Sequence, residues 1–146
     1  MKEQLILTET NFSKLKELVK KNKEKVLIFT SNDDELNRKV SEKLPIDILI
    51  IPLEERKDYM KQRNSGFNEI MAKILKKNKI NLGVSLDELI ESKNKERILA
   101  RLKQNIFLCN KSKIKIEIIE TKNNKSPQDK KALLLVLGLH TSLISN

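Results

Sequence analysis

The sequence is poor in the residues that build most enzyme sites. Among 146 residues there is one cysteine and one histidine, with no tryptophan, three glycines and three prolines. A single cysteine excludes an internal disulfide, and one cysteine with one histidine excludes a zinc site of the Cys/His type. Aromatic residues make up only 3%, which argues against stacking bases on an aromatic platform. Gly66, Gly83 and Gly138 lie too far apart for a GxGxxG or Walker phosphate loop. No apolar run approaches the ~18 residues of a membrane-spanning helix. The opening MKEQLILTETNF has no apolar signal core, so a cytoplasmic protein is expected.

What the chain does have is charge. Lys and Arg number 30 against 20 Asp and Glu, a net charge of +10 and a pI near 9.7. Hydrophobic residues at 38% are still enough for a packed core. The length suits one domain of ~150 residues, so residues 1–146 are expected to form a single unit. A basic protein without a membrane segment suggests a nucleic-acid partner, with a solvated lysine-rich surface as the plainer alternative.

Five short apolar runs have strand character: residues 4–8 (QLILT), 26–30 (VLIFT), 46–51 (IDILII), 80–84 (INLGV) and 114–119 (IKIEII). The second and third are apolar almost throughout, as in strands covered on both faces. The fifth alternates isoleucine with Lys115 and Glu117, so one of its faces is expected to meet water. Between the runs, residues 11–22, 33–43, 66–77, 94–110 and 128–139 carry apolar stripes of helical period. Ser31 and Ser85 stand three residues before Asp34 and Glu88, in capping-box spacing, and Ser126-Pro127 opens the last helix. Alternating strand and helix predicts parallel βαβ units, either an open doubly wound sheet or part of a (β/α) barrel. Five strands are too few to close a complete barrel, which needs at least ~200 residues.

His140 has no second histidine and is expected at a helix end. Cys109 lies on an apolar stripe and is expected to act as a small hydrophobe. Asp47 interrupts an apolar strand and is expected to pair with a basic neighbour. The basic residues are more informative. Arg97 and Arg101 are one helical turn apart, with Gln104 next along, and both guanidiniums are expected to point outward beside Glu96. Guanidinium forks at that spacing can follow a phosphate backbone. Arg56, Lys57, Lys61 and Arg63 cluster after the third strand, and Lys122 and Lys125 follow the fifth, where α/β folds place their ligand loops. Arg38 sits on an early helix.

At these residues the chain resembles the archaeal ribonuclease P protein component 3 family, related to the thirty-kilodalton subunit of the eukaryotic enzyme. The resemblance covers residues 26–140. DELNRKVSEKLPIDILIIP (34–52) is similar to the family's Asn-Arg motif, strand and proline. RNSGFNEIMAKILKKNKINLGVSLDELIES (63–92) is similar to its Ser-Gly turn, helix, strand and short second helix. ERILARLKQNIFLCNKSKIKIEI (96–118) is similar to its arginine-rich helix and next strand, and KSPQDKKALLLVLGL (125–139) to its basic-x-Pro-x-Asp helix start.

The resemblance implies an α/β fold, a truncated (β/α) TIM-like barrel with about five parallel strands. It implies an RNA-binding, non-catalytic protein subunit of a ribonucleoprotein endonuclease, whose RNA removes the 5′ leader of precursor tRNA with bound Mg²⁺. A small subunit of ferredoxin-like fold would be its partner. The residues it carries over are Asn37 and Arg38, Ser65 and Gly66 with Arg63 or Arg56 before them, Arg97, Arg101, Gln104 and Asn105, and Asp129. Two positions depart from the pattern. Lys125 stands where the family has arginine, and Glu69 where a histidine commonly follows the Ser-Gly turn. The barrel is expected to start about two strands late and to be completed by a second copy or a partner. The residue types leave two other readings open, a metal-dependent phosphoesterase-like barrel and a protein-binding scaffold with no RNA role.

Overall fold

The computed structural model describes residues 2–54, 56–58, 60, 63–122 and 125–145. The five apolar runs form β1 (Gln4–Leu7), β2 (Val26–Thr30), β3 (Ile48–Ile50), β4 (Asn81–Ser85) and β5 (Ile116–Ile119). They pair in parallel and in chain order, in one sheet β1-β2-β3-β4-β5. The connecting helices are α1 (Phe12–Lys21), α2 (Asp34–Lys43), α3 (Glu69–Lys77), α4 (Leu86–Glu91), α5 (Lys95–Ser112) and α6 (Pro127–Val136).

Consecutive parallel strands joined by crossovers of one hand place every helix on the same face of the sheet. The core follows that rule. Leu27, Phe29, Leu49, Leu82, Val84, Ile116 and Ile118 pack in one cluster with helix residues such as Leu15, Val40, Leu75 and Leu102. The alternate strand residues Ile28, Ile48, Ile50 and Ile119 form a second cluster to which no helix contributes. Gln4 of β1 and Glu117 and Ile119 of β5 line one hollow, so the sheet curls its two ends toward each other. This is the architecture of part of a (β/α) barrel, not of a doubly wound sheet with helices on both faces.

The sequence boundaries move for local reasons. Asp33, not Ser31, caps α2: its Oδ1 accepts from the Glu35 and Leu36 amides, while Ser31 Oγ accepts from the Asp33 amide. The Ser85 and Ser126 caps are present, each accepting from the amide three residues on. The helix expected from residue 66 begins at Glu69. Gly66 has φ +73°, and the Asn68 side chain accepts the Met71 amide at 2.9 Å. The last helix stops at Val136, two residues before Gly138 at φ +103°. Among the described residues Asp47 has no basic partner. It lies just ahead of β3, and its Oδ2 accepts the β2 amide of Leu27 at 2.8 Å. On β5, Lys115 precedes the strand and is exposed, but Glu117 is half-buried, and burial pushes its carboxyl above the ordinary range. The outer edge of β5 is not bare either. Ile144 bridges in parallel to Ile116, and the Ser145 amide donates to the Ile116 carbonyl at 3.1 Å.

Candidate nucleic-acid interface

The long connection after β3 is held from three sides. Ile51, Leu53 and Phe67 are buried and fix its ends in the core. From α4, Glu88 Oε1 accepts the Leu53 amide at 2.6 Å and the Glu54 amide at 2.7 Å. Desolvation raises the Glu88 carboxyl above its ordinary range, and these two bonds only partly oppose it. From α5, Arg101 donates to the Leu53 carbonyl at 2.6 Å, the Arg56 carbonyl at 2.6 Å and Asp58 Oδ1 at 3.0 Å. Arg56 in turn donates from both terminal nitrogens to Asp34, at 2.9 and 3.0 Å, and from Nε to the Pro52 carbonyl. Its guanidinium covers Gly66 so closely that an added Cβ would lie 2.5 Å from it. That close approach, with the positive φ, is why glycine stands there.

This arrangement changes the reading of the arginines. Arg101 does not point outward: it is only 2% exposed, and its hydrogen bonds go to the chain itself. Arg56 has a side-chain exposure of 9% and is occupied by Asp34. Asn37, Ser65 and Asn105 are also buried. Asn37 Nδ2 donates to the Ser31 carbonyl, and the Ser65 hydroxyl bonds within its own turn. Lys61 lies outside the described residues.

Of the expected cations, those exposed are Arg38, Lys57, Arg63, Arg97, Lys122 and Lys125. Arg38 and Arg63 line one hollow of about 300 Å³ with Asn64, Ser65, Gly66 and Gln104, and with Asp34 and Glu35 on its acidic side. Gln104 Nε2 donates to the Arg63 carbonyl at 3.2 Å and ties the hollow to α5. Arg97 lies in a second hollow, of about 330 Å³, which it shares with Lys93 and with the sides of Arg56 and Arg101, and with Glu54 and Glu91 as its acidic members. Arg97 stands 3.7 Å from Asp58, whose carboxyl is held low by the Asn64 amide first and by Arg101 second. Lys122 lies apart, against Glu91 and on the loop that Asp87 anchors. Lys125 and Asp129 flank Ser126 at the start of α6, and Lys125 donates its amide to Glu120. The structure therefore joins Arg38 with Arg63 in one hollow and Arg97 with the largely buried Arg56 and Arg101 in another, and leaves Lys57, Lys122 and Lys125 elsewhere.

Two contributors escape the sequence pattern. Spacing marks Glu88 only as a capping partner, although its carboxylate anchors the β3 connection, and no spacing signals a contact 35 residues away. Lys93 is a plain charged residue in a turn. Elsewhere, Glu69 pairs with Lys111 at 2.9 Å, and His140 is exposed just before a 3₁₀ turn. Cys109 is fully buried, its thiol pushed up to about 12 by desolvation. Among the described residues, no group of three or more His, Cys, Asp or Glu side chains is placed to hold a metal ion, and no helix is long and apolar enough to cross a membrane.

Known proteins give this geometry a context. No family model matches the chain. A curated relative from Methanosarcina acetivorans, named ribonuclease P protein component 3, is 32% identical over 141 residues, 91% of this chain and 56% of the relative. The chain is a relative of ribonuclease P protein component 3. Proteins of that name from Methanococcus vannielii and Methanosarcina mazei are 26% and 30% identical, again over 91% of the chain, with 58% and 56% of each relative covered. The chain thus spans little more than half the length of these relatives. A chain in a cryo-EM structure of archaeal ribonuclease P with mature tRNA superposes with a TM-score of 0.77 at 22% identity, over 93% of this chain and 60% of that one. That likeness shows the shared fold, and the resemblance read from the four sequence segments is borne out by the curated relatives.

Proposed function

We propose that this chain serves as an RNA-binding protein subunit of ribonuclease P and stabilises the catalytic RNA that removes the 5′ leader from precursor tRNA. The relationship to ribonuclease P protein component 3 over 91% of the chain carries this reading. The hollow shared by Arg38 and Arg63 supports it, since two exposed guanidiniums lining one hollow suit phosphate oxygens, with Arg38 Nε also donating to Glu42 at 3.0 Å. Lys57, Arg97 and Lys125 would extend the contact along the loops at the C-terminal ends of the strands. In this reading the whole chain works as one incomplete barrel unit in the cytoplasm, and Mg²⁺ sits on the RNA. A small ferredoxin-like subunit is the protein partner, and the open edge of β1 is available for self-association.

Filter binding of a Methanosarcina ribonuclease P RNA transcript across a salt series tests the proposal. Arg38→Ala and Arg63→Ala are each expected to weaken binding and to flatten the log–log salt slope by roughly 0.7–0.9 for every phosphate left unneutralised. Wild-type protein that binds this RNA no better than an unrelated duplex, or that fails to raise precursor-tRNA cleavage on reconstitution, refutes the assignment.

A further inference from the structure

The loop after β3 is longer than the others in the described sheet and carries Lys57 and Arg63, yet Leu53, Ser65 and Phe67 within it are almost fully buried. Its shape is not set by regular secondary structure, so something else must hold it. The bonds doing so come chiefly from two guanidiniums. Arg101 closes on two carbonyls and one carboxylate of the loop, and Arg56 closes on Asp34 of α2 while covering Gly66. Asp58 then accepts the Asn64 amide at 2.9 Å, and Asn64 Oδ1 accepts the Gly66 amide at 3.1 Å. The chain of contacts runs unbroken from α5 through Asp58 and Asn64 to the turn beside Arg63.

We propose that Arg101 and Arg56 are positioning residues: with Asp58 and Asp34 they hold the described residues of the β3 connection in place, so that Arg63 and Lys57 meet RNA preorganised, and they do not themselves contact phosphate. The inference rests on the RNA-binding reading above and deepens it. Two features carry it. A phosphate ligand needs exposed donors, whereas both terminal nitrogens of each fork already donate to a protein acceptor within 3.0 Å, and the side chains of Arg56 and Arg101, although they line the hollow beside Arg97, are only 9% and 3% exposed. A buried fork is also specific to arginine, because a lysine ammonium cannot span acceptors on three separate residues in one plane. Holding the loop in advance removes an ordering cost from the binding step, which is how preorganisation raises affinity.

The decisive variants are acidic. Asp58→Ala and Asp34→Ala each remove a negative charge near the basic hollow together with the oxygens that the clamps use. If charge alone governed the surface, both would bind RNA more tightly. If Asp58 and Asp34 hold the clamps, both bind more weakly, by roughly three- to tenfold, with the salt slope unchanged. Arg101→Lys is expected to bind as poorly as Arg101→Ala, whereas a phosphate-contacting arginine would be largely rescued by lysine. Tighter or unchanged binding by both Asp variants, or a salt slope reduced by Arg101→Ala as much as by Arg63→Ala, overturns the proposal. Hydrogen exchange gives a readout that does not depend on RNA. The Asn64 and Gly66 amides should lose protection in Asp58→Ala, which removes the oxygen that accepts from both Asn64 and Arg101, while the β2 and β4 amides keep theirs, and retained protection at Asn64 and Gly66 also overturns the clamp. Absent RNA binding by wild-type protein, with those two amides still released by Asp58→Ala, would defeat the function assigned above and leave the clamp standing.

Discussion

Gly83→Ala is expected to destabilise the fold, and the size of the effect follows from the inner face of the sheet. Gly83 pairs with Ile50 across the β3–β4 ladder and points away from the helices. A Cβ built there would stand 2.6 Å from Cγ1 of Ile50 and 2.7 Å from Cγ2 of Ile48. Both contacts are with β-branched side chains that are 6% and 2% exposed, and branching at Cβ leaves them few rotamers into which to retreat. Forcing a methyl into such a site costs about 1–3 kcal/mol. Alanine recovers about 0.4–1 kcal/mol by restricting the unfolded chain. The net loss is then about 1–2 kcal/mol, a fall in Tm of roughly 3–8 °C for a chain of this size. Urea titration followed by far-ultraviolet circular dichroism measures it. Ile50→Ala supplies the control, because removing Cγ1 opens the space that the new methyl needs. Gly83→Ala should cost less in that background, with a coupling of about 1 kcal/mol. A Gly83→Ala variant as stable as wild type, or strict additivity in the double variant, would refute the account of the inner face as a filled surface.

Two further outcomes test the site and the core. Glu88→Ala should destabilise by about 2 kcal/mol, since it leaves the Leu53 and Glu54 amides without their acceptor, while Glu88→Gln keeps an oxygen there and should equal or exceed wild type near pH 7. Because the folded-state Glu88 value is raised, its contribution to stability is full below the ordinary glutamate range and is lost as pH rises through the folded value. Glu88→Gln should therefore flatten that part of the pH–stability profile, and an unchanged profile counts against the burial argument. Cys109, buried with its thiol pushed up to about 12, should react with iodoacetamide only at the rate of unfolding, and rapid labelling of native protein would show the α5 face to be open.

The fold was legible because its signals are local and repeated. The run at residues 26–30 became β2 without adjustment, since its residues are apolar on both faces and bounded by polar ones. The run at 46–51 was trimmed to Ile48–Ile50 because the Asp47 side chain, invisible to a hydrophobicity pattern, turns back to the neighbouring strand. The separate helix α4 begins at the Ser85 cap that spacing had located. Sequence alone could not choose between the barrel-like and the doubly wound arrangement, since both alternate strand and helix. Pairing in chain order decides it, and the pairing depends on contacts between residues 20 to 34 positions apart.

The candidate site was legible in its cations and misread in their direction, for a reason that lies on α5. Arg97 and Arg101 are four residues apart, so they share a helix side to within about 40°, and the eye assigns both to solvent together. Spacing against the apolar residues gives a different answer. Ile98, Leu102, Ile106 and Cys109 are the buried stripe, and Arg101 and Asn105 fall three and seven residues after Ile98, inside it. The same 40° puts Arg97 at the rim, with its side chain 58% exposed, and carries Arg101 under the β3 connection at 3%. A buried guanidinium is tolerated where most of its donors are met, and in Arg101 both terminal nitrogens are bonded while the buried Nε has no partner among the described residues. Arg101 is buried because the Leu53 and Arg56 carbonyls and Asp58 are there to receive it, and Asp58 sits 43 residues away in a loop that no periodicity describes. An arginine on an apolar stripe is thus a sign of a distant acceptor, whereas an arginine off it, as Arg38 is on α2, stays at the surface with its side chain 55% exposed and takes a local partner, Glu42 one turn on, leaving its terminal nitrogens facing solvent.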